Sequence, residues 1–257
     1  MAKILVCDDD KDIVEAIDIY LTQEGYEVLK AYDGDEAIKV LKRNEVDLLI
    51  MDVMMPRLDG IRATLKIREN MSLPIIILSA KSEDADKILG LNIGADDYIT
   101  KPFNTNLLIS RCNNLVNSRI LLQEKFSKQP QTAAHMLATN PIDKDILDRA
   151  MSIIEQHLDD TEFNVNVFAR EMAMARTNLF TKLKAITGQT PNEFILTIRL
   201  KKGALMLRNN PELNITEISD KIGFSSSRYF SKCFKDIYHV SPLAYRKGEE
   251  ADKDEEE

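Results

Sequence analysis

The sequence predicts a doubly wound α/β domain with a parallel sheet, followed by an all-helical domain. Up to about residue 121, short apolar runs alternate with segments whose apolar residues recur at helical spacing. This alternation is typical of β/α units that pack helices on both faces of a parallel sheet. Residues 142–248 show only the helical spacing, and they contain a repeat at an offset of 50 to 51 residues. A chain of 257 residues is long enough to bury a core in each domain.

The net charge of −8 is divided unevenly along the chain. Residues 1–139 carry 17 basic and 22 acidic side chains (−5), residues 140–248 carry 16 and 13 (+3), and residues 249–257 carry 1 and 7 (−6). Nucleic-acid binding depends on local charge, so the basic middle block permits a DNA-binding domain without requiring one. We expect the acidic run 249–257 to be a disordered, solvating tail.

Cysteine usage and hydropathy indicate the compartment. Cys7, Cys112 and Cys233 lie far apart without CxxC spacing, which favours buried free thiols in a reducing cytosol over disulfides or a zinc site. No apolar stretch approaches the roughly 18 residues of a membrane span, and no signal-peptide pattern is present. We therefore expect a cytoplasmic protein that has no membrane partner.

Five apolar runs predict the strands of the first domain, at 4–7, 27–31, 48–51, 74–78 and 97–100. The segments between them predict helices. Their apolar stripes are Ile13, Val14, Ile17 and Leu21; Ala37, Ile38 and Leu41; Leu65 and Ile67; Ile88 and Leu91.

Polar residues follow four of these strands. An aspartate after an apolar run is by itself more often a turn or cap residue. Here, however, the carboxyl ends of parallel strands meet at one edge of the sheet, where ligands bind in such folds. The residues at these ends are Asp8, Asp9 and Asp10; Asp52, with Pro56 and Gly60 in the loop that follows it; Ser79; and Lys101 with Pro102.

In this order and context, these residues resemble the receiver domain of two-component response regulators, over roughly residues 2–121. The resemblance implies a flavodoxin-like (βα)5 fold with strand order 2-1-3-4-5. It also implies a Mg²⁺ site in which Asp9 and Asp52 ligate directly, Asp8 ligates through water, and the Met54 carbonyl supplies an oxygen. Converging carboxylates repel one another unless a cation lies among them, and oxygen ligands with retained waters suit Mg²⁺.

The same resemblance assigns roles in phosphoryl transfer. Asp52 is the expected phosphoacceptor from a sensor histidine kinase, and Mg²⁺ and Lys101 are expected to stabilise charge on the transferring group. Ser79 is expected to hydrogen-bond a phosphoryl oxygen, and Tyr98 to be the switch aromatic. From the residues alone, Asp10 is predicted to be a helix cap and Tyr98 ordinary half-buried packing. Transfer to Asp52 is self-modification, and no further nucleophile–base pair is evident, so the chain is predicted not to be an enzyme.

Receivers commonly dimerise through their last two helices and last strand, and a homodimer on phosphorylation is therefore expected. Asp97 and Arg111 fit one of the charge pairs that relatives use there. Lys87 fits another, but Leu107 replaces its acidic partner, and Asn92 and Asn113 stand where a further pair is usual. These departures predict an altered or more apolar dimer interface.

Residues 122–141 are expected to connect the domains, since the last receiver helix runs on through Leu115, Ile120 and Leu121 and the stripe then stops. The segment is rich in Gln, Ser, Thr and Ala and contains Pro130 and Pro141. This composition predicts a solvent-exposed, partly ordered linker.

The repeat in residues 142–248 predicts two helix-turn-helix units. Equivalent positions are Val165, Phe168, Ala169, Met172 and Ala173 with Ile215, Ile218, Ser219, Ile222 and Gly223, and then Leu179, Leu183, Ile186 and Pro191 with Phe230, Phe234, Ile237 and Pro242. Between the units, Pro191 is predicted to start a long helix to about Leu207, which Asn209, Asn210 and Pro211 end.

Two such units joined by one helix resemble the DNA-binding domain of the AraC family, over about 105 residues. The signature residues are Ile215, Ile218, Gly223, Phe224, Tyr229, Phe230, Phe234, Lys235, Ser241, Pro242, Tyr245 and Arg246. The chain departs from the family pattern at two turns. Ala173 and His239 stand where glycine is usual, and at His239 we expect a local adjustment of the turn.

The resemblance implies that helices at about 176–186 and 226–237 read successive major grooves of promoter DNA. RNA polymerase is a further possible partner of such a regulator. The predicted contact residues are Arg176, Asn178, Lys182, Ser226, Ser227, Arg228 and Lys232.

Two alternatives stay open. One is a receiver-containing protein–protein adaptor, against which the cations of the two recognition helices count. The other is a recombined or engineered chimera with weak coupling, since the receiver up to Phe103 resembles those joined to winged-helix effectors, whereas the later residues resemble the C-terminal part of hybrid two-component regulators. A junction between sequences of different origin near residues 101–107 would account for Leu107.

Overall fold

A computed structural model describes residues 1–80 and 94–248 of the chain. The fourth predicted helix, with Ile88 and Leu91, lies outside these residues, as do Lys87, Asn92 and the acidic tail. The chain divides into two compact units. The first comprises Met1–Leu121 and Thr139–Lys144, and the second Leu122–Ala138 and Asp145–Glu257.

The first unit contains a five-stranded parallel sheet of order β2-β1-β3-β4-β5, which confirms the predicted doubly wound fold. Its elements are β1 (Lys3–Cys7), α1 (Lys11–Gln23), β2 (Glu27–Ala31), α2 (Gly34–Arg43), β3 (Leu48–Asp52), α3 (Gly60–Asn70), β4 (Ile75–Ser79), β5 (Asp97–Thr100) and the start of α4 (Thr105–Lys128).

Alternating residues of the central strands pack into two separate cores. Leu5, Leu49 and Ile77 face α2 and α3, and Val6, Ile50 and Ile76 face α1 and α4. Both faces of β3 and β4 are buried along their whole length, as expected for central strands of a parallel sheet. All four strand pairs are parallel, so the carboxyl ends of the five strands meet at one edge of the sheet.

The second unit is helical. It contains the end of α4, a 3₁₀ turn (Ala134–Leu137), most of α5 (Pro141–Gln156), and then α6 (Val165–Glu171), α7 (Arg176–Thr187), α8 (Pro191–Asn209), α9 (Ile215–Lys221), α10 (Ser227–Tyr238) and α11 (Pro242–Lys247). The pairs α6–α7 and α9–α10 are the two helix-turn-helix units. Helix α8 contributes Phe194 and Ile198 to the core of the first and Leu200 and Leu207 to that of the second.

The structure differs from the expected linker at residues 122–141. Helix α4 continues to Lys128, Phe126 is fully buried, and Ala134 and Leu137 are also buried. These side chains join the core that contains Phe168 and Phe194. A few well-spaced apolar residues therefore anchor a segment whose composition is mostly polar.

All three cysteines are buried free thiols, as predicted. Burial raises the pKa of Cys112 to about 12 and that of Cys7 further, so both are protonated at neutral pH.

Candidate functional site

Three carboxylates meet at the carboxyl edge of the sheet. Strand β1 leads into Asp8 and Asp9, and β3 ends at Asp52. One oxygen from each lies within 4.8 Å of the others. Asp8 and Asp52 are buried, whereas Asp9 is exposed. An all-oxygen donor set of this charge and size, open to solvent on one side, suits a hard divalent cation.

Lys101, which follows β5, lies between the two buried carboxylates. Its Nζ is 2.6 Å from Asp8 Oδ2 and 2.6 Å from Asp52 Oδ1. Burial of the ammonium works against its charge, but the hydrogen bonds that it donates to Asp52 and Asp8 raise the pKa of Lys101. Burial raises the pKa of Asp8, although the hydrogen bonds donated by Lys101 and by the Asp10 backbone oppose this. The arrangement offsets two buried negative charges with one cation.

The loop after β3 is held close to Asp52. The Met54 N–H donates to Asp52 Oδ2 at 2.7 Å, and the Gly60 N–H donates to the Val53 carbonyl at 3.1 Å. A Cβ at Gly60 would lie 2.0 Å from the Asp52 carbonyl oxygen, so only glycine fits this close approach. The loop leaves Met54 exposed beside the carboxylates.

The other predicted residues of this site lie on the two neighbouring strands. Ser79 ends β4, is almost fully buried, and pairs in register with Thr100 of β5. The Lys101 N–H donates to the Ser79 carbonyl at 2.7 Å, which fixes the start of the Lys101–Pro102 segment. Tyr98 is half-buried against the core beneath α2 and α3. Asp10 accepts hydrogen bonds from the Asp12 and Ile13 N–H groups and thus caps α1, as predicted from the sequence alone.

The predicted dimer residues make contacts within the first unit. Arg111 Nε lies 3.4 Å from Asp97 Oδ2. Asn113 Oδ1 accepts a hydrogen bond from the Tyr26 hydroxyl at 2.5 Å, so this side chain has a structural role. Leu107 is 46% exposed, so this apolar side chain lies at the surface, where relatives have an acidic residue.

In the second unit, most of the predicted DNA-contact residues are exposed. Arg176, Asn178, Ser226, Arg228 and Lys232 are exposed, and Ser227 is half-buried. Ser226 also caps α10, because its side chain accepts from the Tyr229 N–H. Lys182 differs from the prediction, since only 5% of it is exposed and it shares the buried side of α7 with Leu183 and Ile186. Helical spacing grouped Lys182 with Asn178, but it did not reveal how much of that face is covered.

One exposed residue of α10 was missed. Tyr229 is 51% exposed next to Arg228, and its ring lies 5.7 Å from that of Phe224. An aromatic residue in the first turn of a helix otherwise rich in Ser, Arg and Lys was the available signal. The sequence analysis names Tyr229 only as a signature residue of the family.

The two unusual turns keep the left-handed backbone without glycine. Ala173 has φ 52° and Gly223, its repeat equivalent, has φ 71°. His239 has φ 59° at the C-cap of α10, where its N–H donates to the Lys235 carbonyl. The expected local adjustment at His239 is therefore wrong, because the histidine adopts the conformation that glycine would have.

Comparisons with known proteins match both units separately. Residues 4–113 match a family model described as a response regulator receiver domain, and residues 168–248 one described as a helix-turn-helix domain. Response regulator GtcR of Aneurinibacillus migulanus is 34% identical over 181 residues, which are 70% of this chain and 73% of that protein.

Histidine kinase P4 of Formosa agariphila is 37% identical over 246 residues, 95% of this chain, which spans 18% of that protein's length. A solved receiver domain of a Francisella response regulator is 42% identical, with a TM-score of 0.45 over 46% of this chain and 98% of that one. Within residues 1–80 and 94–248, no helix has both the length and the apolar character needed to cross a membrane.

Proposed function

The chain belongs to the response-regulator family, and on that premise we propose that phosphorylation of Asp52 by a sensor histidine kinase controls DNA binding by the two helix-turn-helix units. It acts as a transcription regulator rather than as an enzyme. The observation that carries the proposal is the Lys101 ammonium, which lies 2.6 Å from both Asp8 and Asp52 at the carboxyl edge of the sheet.

Asp52 is the proposed phosphoacceptor because this buried carboxylate ends the strand β3 and contacts both Lys101 and the Met54 N–H. One of its oxygens attacks phosphorus, a P–O bond forms as the P–N bond to the kinase histidine breaks, and the imidazole leaves. Lys101 then neutralises charge on the transferred group. The hydroxyl of Ser79 donates a hydrogen bond to a phosphoryl oxygen. Tyr98 is the switch aromatic, which responds to phosphorylation of Asp52.

The acidic cluster fits Mg²⁺ as the metal. Asp9 and Asp52 would hold it directly, Asp8 through water, and the Met54 carbonyl would add an oxygen. When bound, the ion supplies positive charge that offsets the phosphoryl oxygens during transfer. The exposure of Asp9 leaves a path from solvent to this cluster.

The DNA-binding half of the proposal rests on α7 and α10. Each has an exposed cation at its N-terminal end, Arg176 in α7 and Arg228 in α10, and this is the end that enters a major groove in helix-turn-helix proteins. We assign base or phosphate contacts to Arg176, Asn178, Ser226, Ser227, Arg228 and Lys232. Lys182 can join them only if its side chain leaves its buried position.

The partners follow from this function. They are a sensor histidine kinase, double-stranded promoter DNA, a second copy of the chain after phosphorylation, and RNA polymerase at the promoter. The protein would act in the cytoplasm, where kinase and DNA are both reached. A continuous match of 246 residues to one relative favours a natural receiver–effector arrangement over a fusion near residues 101–107.

The test compares wild type with Asp52→Asn, using acetyl phosphate as donor. Duplex ligands are first selected from a random-sequence pool by the phosphorylated wild-type chain. We expect wild type to gain one phosphoryl group in the presence of Mg²⁺ and to bind the selected duplex more tightly, with affinity falling as salt rises. Asp52→Asn should do neither, and chelation of Mg²⁺ should abolish the mass change.

Asp35→Asn, an exposed aspartate in the first turn of α2, is the matched control and should behave like wild type. A wild-type chain that is never phosphorylated would refute the receiver assignment. Phosphorylation without any salt-dependent duplex binding would instead favour the adaptor.

A further inference from the structure

The last turns of helix α4 lie against the C-terminal end of α7, the first recognition helix. Gln123 Nε2 donates to the Ile186 carbonyl at 3.0 Å and to the Ala185 carbonyl at 3.2 Å. Both carbonyls belong to the last turn of α7, where no following turn of helix supplies an N–H. Gln123 therefore caps a helix that lies more than sixty residues away in the sequence.

The rest of this helix end is satisfied locally. The Gly188 N–H donates to the Lys184 carbonyl, and the Thr187 hydroxyl donates to the Leu183 carbonyl. Gly188 itself has φ 73°, and a Cβ placed there would lie 3.0 Å from Gln123 Oε1. The Gln123 amide thus occupies the space that this glycine leaves open.

Neighbouring contacts hold α4 in place for this role. Phe126 is fully buried and stacks on Phe194, with centroids 5.8 Å apart. Gln189 Nε2 donates to Ser127 Oγ at 3.0 Å and to Thr197 Oγ1 at 2.9 Å, which joins α4, the loop after α7, and α8. The Ser127 hydroxyl in turn donates to the Gln123 carbonyl.

We propose that Gln123 is a positioning residue for DNA binding, which sets the orientation of α7 and so of Arg176 and Asn178. This rests on the proposed DNA-binding function. Helix α4 begins at Thr105 in the first unit and ends in the second. Gln123 contacts the first recognition helix, while α10 has no such contact with Gln123 among the described residues.

The test measures binding of the full chain to the duplex selected by wild type. Gln123→Ala removes two hydrogen bonds and should weaken binding by a factor of about 5 to 10. Gln123→Glu has the same shape but points carboxylate oxygens at two carbonyl oxygens, and should weaken binding more. Asn117→Ala, an exposed amide on the same helix, is the control and should bind like wild type.

Combination with contact residues separates positioning from general destabilisation. If Gln123 acts through α7, the effect of Gln123→Ala should fall below about twofold in an Arg176→Ala background and persist in full in an Arg228→Ala background. Equal loss in both backgrounds, or binding within twofold of wild type by both Gln123 variants, would overturn the inference. A wild-type chain that selects no duplex would instead refute the DNA-binding function on which it rests.

Discussion

At the scale of single residues, the turn at Ala173 holds an alanine in a backbone conformation that suits glycine. A non-glycine residue at positive φ is strained by roughly 1 kcal/mol, and Ala173 has φ 52°. Its side chain is exposed, so loss of the methyl group removes little packing. We therefore expect Ala173→Gly to raise the free energy of unfolding of the second unit by about 0.5 to 1 kcal/mol.

Two control substitutions bracket this prediction. Gly223→Ala, at the equivalent turn, should be strongly destabilising, because its Cβ would lie 2.5 Å from the Leu158 carbonyl oxygen. Ala16→Gly, at an exposed position of α1, should cost about 1 kcal/mol. Urea unfolding is read by hydrogen exchange in peptides of α6 and α7 for Ala173→Gly, of α9 and α10 for Gly223→Ala, and of α1 for Ala16→Gly. A less stable Ala173→Gly would contradict the strain argument.

Lys201 makes stability depend on pH. It is 7% exposed, and its ammonium donates to the Gln129 and Thr132 carbonyls at 2.5 and 3.1 Å. Burial lowers its pKa from 10.5 to about 8. Between these values the unfolded chain binds more protons than the folded chain, so the free energy of unfolding rises as pH increases.

As pH rises from 8 to 10.5, we expect the free energy of unfolding of wild type to increase by up to about 3 kcal/mol more than that of Lys201→Met. The comparison is made by urea unfolding of both proteins at several pH values. Lys201→Met removes this titration but keeps most of the side-chain volume, so groups that titrate in both proteins cancel. If the difference in unfolding free energy between wild type and Lys201→Met stays constant over this pH range, Lys201 keeps its ordinary pKa in the folded chain.

At the scale of elements, Arg68 joins α3 to the amino ends of β4 and β5. Its guanidinium donates to the Gly94 and Leu73 carbonyls and to Asp96 Oδ2, at 2.8, 2.6 and 2.8 Å. The Arg68 and Asp96 side chains are 2% and 1% exposed. Loss of one partner leaves a buried charge without compensation, which is strongly destabilising.

Arg68→Met should therefore lower the free energy of unfolding of the first unit by about 3 kcal/mol or more. Arg62→Met, on the same helix, removes an ion pair with Asp59 in which the arginine is 76% exposed, and should cost less than about 0.5 kcal/mol. Urea unfolding followed by hydrogen exchange in β4 and α3 measures both. Equal losses of unfolding free energy in Arg68→Met and Arg62→Met would contradict the argument that burial decides how much each ion pair contributes.

The end of α4 is ordered and partly buried, whereas its composition predicts an exposed linker. Phe126 lies in the core of the second unit with Phe194, and Lys201 Nζ is 4.4 Å from its ring centroid. We expect Phe126→Ala to destabilise that unit by about 3 kcal/mol or more. Leu121→Ala, at a position 50% exposed, should have little effect. A small effect of Phe126→Ala on thermal unfolding would restore the view of this segment as a linker.

The strands were predictable because uninterrupted apolar runs such as 48–51 and 75–78 can be buried on both faces only inside a parallel sheet. The carboxylates at their ends could be placed together for the same reason. The role of residues 122–138 could not be predicted, because Phe126, Ala134 and Leu137 have no helical period and their burial depends on distant partners. The burial of Lys182 likewise depends on tertiary structure that helical spacing does not encode.

At the scale of the whole molecule, charge is segregated along the chain. The block 140–248 carries +3 and residues 249–257 carry −6. We expect a chain that ends at Gly248 to bind duplex DNA several-fold more tightly at low salt, because a like-charged segment no longer opposes the phosphates. The difference should vanish at about 0.5 M salt, where screening acts within a few ångströms.

The control replaces every acidic residue of 249–257 by its amide, which keeps the length and removes the charge. It should match the chain that ends at Gly248 in a salt series of binding measurements. An amide variant that instead binds like wild type would show that the length of the segment matters rather than its charge.

The left-handed turn shared by Ala173 and Gly223 bears on how such units are recognised in other sequences. Two copies of one motif reach the same backbone conformation, and only one of them contains the residue that suits it best. Glycine at this turn thus lowers the energy of the folded state, but the turn can form without it. A search pattern that demands glycine there would overlook the first unit of this chain, and divergent relatives whose turns have drifted in the same way.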